Sequence, residues 1–215
     1  AGLLIHATFL GGVFSSMYQG IPAGVTALVV GLQPLVTATV VGPLLGEKVS
    51  SRQWLGFVLG LVGVTLVLLK KLSFDISDIS GLLYCVVALL GITAGTLYQK
   101  KFSSFMDLRS GTVIQYIAAG VAMLFLARLT ETMKITWSWE FIFALFWLTV
   151  VLSVGAITLL FVLIRRGKAS EVASLVYLVP PCTALIAYFL FGETLGPIAL
   201  LGMAIAVVGV ALVNR

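Results

Sequence analysis

Two stretches, Ala23–Val67 (AGVTALVVGLQPLVTATVVGPLLGEKVSSRQWLGFVLGLVGVTLV) and Ala169–Val213 (ASEVASLVYLVPPCTALIAYFLFGETLGPIALLGMAIAVVGVALV), align without a gap at a constant offset of 146 and share 17 identities in 45 positions. Apolar composition alone would supply matches of Leu, Val and Ala. It would not align Pro34 with Pro180, Thr37 with Thr183, Gly46-Glu47 with Gly192-Glu193, or Gly56 and Gly63 with Gly202 and Gly209. The pattern reads as an internal duplication.

Each copy holds two apolar windows, and the rest of the chain continues in the same manner. Of 215 residues, 60% are hydrophobic and 10% charged, against about a quarter charged in a soluble domain. A soluble globular enzyme is thereby excluded. A bilayer core about 30 Å thick needs about 20 mostly apolar residues per helical crossing. Eight windows meet that need: Leu3 to Gly20, Ala23 to Leu45, Gln53 to Leu69, Ile79 to Leu97, Gly111 to Ala127, Phe141 to Ile164, Val172 to Phe191 and Leu195 to Val213. The fold class expected is an all-α integral membrane protein with eight transmembrane helices. The connections are too short to house a soluble catalytic domain, so function belongs to the bundle. The opening run has no basic segment before it and no cleavage site, which argues against a signal peptide. Cys85 and Cys182 lie inside apolar runs and read as small packing residues rather than a disulfide.

The net charge of +5 is a topology signal here, not the mark of a nucleic-acid partner. If the spans alternate, Lys48, Arg52, Lys100, Lys101, Arg109, Arg165, Arg166, Lys168 and Arg215 share one side, and Lys70, Lys71, Arg128 and Lys134 the other. The richer side is expected in the cytoplasm, with the C-terminus.

The second span matches the seventh and the third the eighth, five crossings apart. Five is odd, so the copies face opposite ways, as in transporters whose inverted halves rock about a midplane site. Five spans per half would total ten. Three precede the second half, which divides the chain into a partial first repeat of three spans, residues 1–72, and a second of five, residues 73–215.

A mid-span Pro, Gly-Glu at the span end, and a glycine-punctuated last span closing on Gly-Val resemble the paired EamA domains of the drug/metabolite transporter superfamily. That resemblance implies ten helices in two inverted five-helix repeats, both termini cytoplasmic, and transport of amino acids, nucleotide sugars, sugar phosphates, vitamins or drugs. Against that pattern this chain reads as the remnant of a ten-helix fold lacking its first two helices.

Polar groups inside spans point to the solute path, because lipid offers them no partners. At 100° per residue Thr26, Gln33 and Thr37 share a face of the second span, and Ser170, Ser174, Tyr177 and Tyr188 form a similar face on the seventh. Pro34 and Pro180-Pro181 interrupt the backbone ladder at comparable depth. The candidate substrate-binding residues are therefore Gln33, Thr37, Ser174 and Tyr177, with His6, Tyr84 and Trp147. Interhelical hydrogen bonding and packing are the alternative reading of each. Gly56, Gly60, Gly63, Gly202 and Gly209 read as helix-packing scaffold, and Trp137 and Trp139 as interfacial anchors. All eight carboxylates lie at span ends or in loops; Glu47 and Glu193 read as caps or loop-fixing groups. No catalytic motif, metal site or cofactor site is expected.

The function expected is a secondary transporter, an exporter of small metabolites or of amino-acid-like or amphipathic compounds, working by alternating access. Its partners are a small solute and the lipid bilayer of the cell membrane, with a homodimer left open. The alternatives are a non-transporting structural membrane subunit and an integral membrane enzyme.

Overall fold

A computed structural model describes residues 1–69, 79–103, 105–191 and 196–215. Lys70, Lys71, Gly192 and Glu193, to which the sequence reading gave roles, lie outside the described residues. Among those described the chain is helical, with no strand. The helices are α1 (Leu3–Tyr18), α2 (Ala23–Leu45), α3 (Ser51–Leu68), α4 (Ile79–Phe102), α5 (Leu108–Thr130), α6 (Trp139–Arg166), α7 (Ala169–Ser174, a 3-10 turn Leu175–Leu178, then Val179–Phe191) and α8 (Pro197–Val213). Six are long and apolar enough to cross a bilayer; α1 and α8 are shorter apolar helices. The protein is an all-α membrane protein, and its helices follow the eight windows.

Local chemistry sets the helix ends. At the start of α3, Ser50 Oγ accepts from the Gln53 backbone N–H at 3.3 Å while the Ser50 N–H donates to Gln53 Oε1 at 2.9 Å, a reciprocal capping box. Gln53 Nε2 also donates to the Val213 carbonyl at 3.2 Å, tying the start of α3 to the end of α8. Gln53→Ala removes both contacts and should lower the thermal midpoint of the purified protein, with a loss of about 1 to 2 kcal/mol. An unchanged midpoint would show that neither bond holds the pair together. Outside the spans, Asp107 caps α5, accepting from the Ser110 N–H at 3.0 Å. That backbone bond, with the Ser110 hydroxyl, holds its carboxyl below the usual carboxylate range.

Among the described residues the most extensive helix–helix contact is the crossing of α3 and α8. Gly56 lies against Gly209, where a Cβ built on Gly56 would stand 2.6 Å from the Gly209 carbonyl oxygen. Gly63 lies against Gly202, at 2.6 Å by the same measure. The residue order runs in opposite senses, so the helices are antiparallel. Under the 146 offset Gly56 corresponds to Gly202 and Gly63 to Gly209, so the two contacts exchange with one another, as a local two-fold axis requires. Close approach of bare backbone holds the pair by dispersion. Phe57, Val64, Tyr177, Val210 and Val213 pack around it.

Four helices depart from regular winding. The helix α2 breaks at Gly31-Leu32, between Ala23–Val30 and Gln33–Leu45. The helix α7 tightens into its 3-10 turn at Leu175–Leu178, the counterpart of residues 29–32. Leu3–Phe9 of α1 and Trp147–Ala156 of α6 are wound as π-helix. In lipid such irregular backbone is tolerated where protein or a cavity surrounds it, and π turns gather at functional sites. By contrast, α5 and α6 turn most of their side chains outward, as helices facing lipid tails do.

Candidate substrate cavity

The irregular segments surround one space. A cavity of about 490 Å³ is walled by α1, α2, α4, α6 and α7, with Val64 of α3 at its floor. That size lies within the range of about 300 to 1,000 Å³ typical of small-molecule sites. Proline shapes its rim twice. Pro34 has no N–H to give the Val30 carbonyl one turn back, and Pro180 has none for Val176, whose carbonyl accepts instead from the Val179 N–H. Val30, Val176, Val179 and Pro180 all line the space.

Among the described residues the wall is apolar apart from His6, Gln33, Thr96 and Ser153, and no charged side chain lines it. Thr96 and Ser153 spend their hydroxyls on their own helices, Thr96 on the Ile92 carbonyl at 2.9 Å and Ser153 on the Leu148 carbonyl at 3.0 Å. His6 and Gln33 differ. They are 7% and 2% exposed, yet Nε2 of His6 and Oε1 of Gln33 have no hydrogen-bond partner among the described residues. A buried polar atom without a partner costs about 1 to 3 kcal/mol, so both are available to hydrogen-bond a group that enters the cavity. The imidazole is held in place by aromatic packing: the Tyr116 ring lies 4.5 Å away and Phe161 meets it edge-on at 6.3 Å. Tyr116 is anchored in turn by donating its hydroxyl to the Ser153 carbonyl at 2.5 Å.

Of the seven residues singled out from sequence, the cavity brings together His6 and Gln33. Tyr177 is wholly buried behind it. Its ring lies on Gly60, where an added Cβ would come within 2.5 Å of Cε2, and its hydroxyl has no partner among the described residues. Thr37 is likewise buried with an unpartnered hydroxyl and is not in the wall. Ser174 donates to the Glu171 carbonyl at 2.6 Å and accepts from Asn214 Nδ2 at 3.0 Å, which pins the end of α8. Tyr84 is exposed on α4, and Trp147, 49% exposed, stacks on Phe143 at the outer surface. Thr26, placed with Gln33 by helical counting, turns instead to Ser16, with the two hydroxyls 3.1 Å apart. Phe9, Phe14, Gly31 and Thr96 line the cavity without any signal in their residue types. Only the repeat, which aligns Gly31 with Tyr177, marks one of them.

Toward the end where α2 stops and α7 begins, buried side chains pack in two clusters, Ile5, Phe161, Ile164 and Val172 in one and Val41, Leu97 and Ala169 in the other. Glu47 braces this end. Gly46 adopts a left-handed conformation (φ 71°) that stops α2, a geometry glycine adopts without strain. The chain then turns so that the Glu47 carboxylate reaches the start of α7, accepting from the Ala169 N–H at 3.0 Å and the Ser170 hydroxyl at 3.3 Å. The anion sits where the helix dipole favours it. Lys100 fastens the same end by donating to the Gly167 carbonyl at 2.7 Å, and the Arg165 guanidinium donates to the Met106 carbonyl.

A multi-pass helical bundle with irregular helices around a cavity of metabolite size fits a membrane transporter. The profile of the EamA-like transporter family matches residues 2–69 and 79–215, and the chain belongs to that family. It is 27% identical to "Uncharacterized transporter YvbV" of Bacillus subtilis over 98% of this chain and 69% of the relative. It is also 27% identical to "Uncharacterized inner membrane transporter YedA" of Escherichia coli K12, over 99% of this chain and 69% of that one. A "Probable terminal-alkyne amino-acid exporter" of Streptantibioticus cattleyicolor is 24% identical over 91% of this chain and 65% of its own length. One solved crystal structure superposes with a TM-score of 0.79 at 19% identity, covering 99% of this chain and 74% of that one. The fold is shared with it.

Proposed function

We propose that this transporter exports small amphipathic solutes, amino-acid-like compounds among them, by alternating access through the cavity between α2 and α7. The observation that carries the reading is the wall itself: apolar, free of charged side chains, with His6 Nε2 and Gln33 Oε1 as its two unpartnered polar atoms. Such a wall favours a solute with a compact apolar body and one hydrogen-bonding end. The amino-acid exporter among the relatives supports the same solute class. The repeat supports the mechanism, with residues 1–72 and 73–215 as the two inverted units and the α3–α8 crossing as their shared axis. Nine basic residues against four support a cytoplasmic C-terminus and, with it, a cytoplasmic Glu47 end.

The test is counterflow in proteoliposomes. Vesicles preloaded with unlabelled leucine, norvaline, phenylalanine or tryptophan receive the labelled compound outside, with and without a pH gradient. Saturable accumulation above protein-free vesicles is expected for at least one of them. Flux equal to protein-free vesicles throughout, from monodisperse protein, would overturn the solute class.

A further inference from the structure

We infer that Gly31 sets the upper size limit of the transported solute, because it stands where the second repeat carries a tyrosine. The 146 offset pairs Gly31 with Tyr177 and Gly60 with Ala206. In the second repeat the Tyr177 ring fills the recess over Gly60 and is wholly buried. The two-fold exchange at the α3–α8 crossing puts Gly31 in the place that corresponds to Tyr177, on the side of α8 where Ala206 is the buried counterpart of Gly60. There the chain supplies no ring, and Gly31 and Val64 border the cavity instead. The cavity thus lies on the side of the axis where the repeat lacks an aromatic side chain.

The backbone at Gly31 is ordinary right-handed helix (φ −60°), so conformation does not demand glycine. The nearest atoms to a Cβ built there are the Ala27 and Leu28 carbonyl oxygens of its own turn, at 3.0 and 3.1 Å, and the Leu28 carbonyl carbon at 3.8 Å. A side chain needs the turn to yield by a few tenths of an ångström, at a position that borders the cavity. At Gly60 the obstacle would be the Tyr177 ring. The absence of a side chain at position 31 therefore serves the volume of the cavity, not the packing of the helix.

The inference rests on the cavity being the solute path, and its test separates the two. In a full-length background with Cys85 and Cys182 replaced by alanine, Gly31→Cys is treated with methyl and with benzyl methanethiosulfonate, and the adducts are measured by mass spectrometry and size-exclusion chromatography. Both adducts should form on protein that stays monodisperse; failure of the benzyl adduct on folded protein overturns the open recess. In parallel, Gly31→Ala, Gly31→Leu and Gly31→Phe are compared with the parent protein by the ratio of tryptophan to alanine counterflow. The ratio should fall with side-chain size, by about tenfold or more at Phe. A ratio that does not change across the series overturns the inference even if flux is robust. If the parent protein moves neither amino acid, the proposed solute class fails while the labelling result still decides whether position 31 borders an open recess.

Discussion

Gly63→Leu should leave little folded protein in the membrane. The Cβ it introduces would stand 2.6 Å from the Gly202 carbonyl oxygen and 2.8 Å from Ala206 Cα. Overpacking costs about 1 to 3 kcal/mol even where flexible side chains can move aside. Here the obstacle is backbone, so α3 and α8 must separate, and their dispersion contact, the principal force between helices in lipid, is lost along the whole crossing. Gly209→Leu should act alike, since its Cβ would meet the Gly56 carbonyl oxygen at 2.6 Å. Gly120 on α5, where an added Cβ meets nothing within 4 Å, provides the control: Gly120→Leu should express as the parent does. Fluorescence-detected size-exclusion chromatography reads all three. A normal monodisperse peak for Gly63→Leu would show that the crossing does not hold the bundle together.

The second large effect belongs to the cavity. Gln33→Ala and His6→Ala each remove a polar atom without a partner among the described residues; His6→Ala also gives up ring packing against Tyr116 and Phe161, so its flux is read only at equal monodisperse yield. What each loses is a hydrogen bond to solute, worth about 1 to 3 kcal/mol in a dry site, or about five- to 150-fold in flux below saturation. The double variant should approach the protein-free rate. Gln33→Glu puts an uncompensated charge in an apolar wall, a costly change inside a membrane, and should lose more flux than Gln33→Ala. Flux within twofold of the parent for both single variants, at equal monodisperse yield, would remove these atoms from solute recognition.

The bundle was legible in sequence because its determinants are one-dimensional: hydropathy at crossing length, glycines at helical spacing, and a repeat whose offset can be counted. The glycines of the α3–α8 crossing read as packing residues from their spacing, but that the two copies' glycines meet one another is seen only in the structure. The cavity was legible only in part. Counting at 100° per residue placed Thr26, Gln33 and Thr37 on one face, but that count assumes unbroken helix, and α2 breaks at Gly31-Leu32, just ahead of Pro34, turning Thr26 to Ser16 and leaving Gln33 in the wall. Ser174 read as a solute group from its type, whereas tertiary contact with Asn214 occupies its hydroxyl. Glu47 read correctly as a capping group, but the helix it caps, α7, lies 122 residues away. Residue type and spacing carry no trace of a partner that distant. The π-helical segments of α1 and α6 likewise have no sequence signature, and they place His6 and Ser153 at the cavity.

The measurement closest to the central claim, that solute passes through the space between the broken helices, is protection of an introduced thiol. With Cys85 and Cys182 removed, Ala156→Cys stands in the cavity wall and Val150→Cys on the exposed outer face of the same π-helical segment. A solute that the protein moves in counterflow should slow thiosulfonate modification at position 156 by several fold at saturating concentration, with half-protection near its transport half-saturation, and leave position 150 unaffected. Equal rates at position 156 with and without a transported solute would contradict the account.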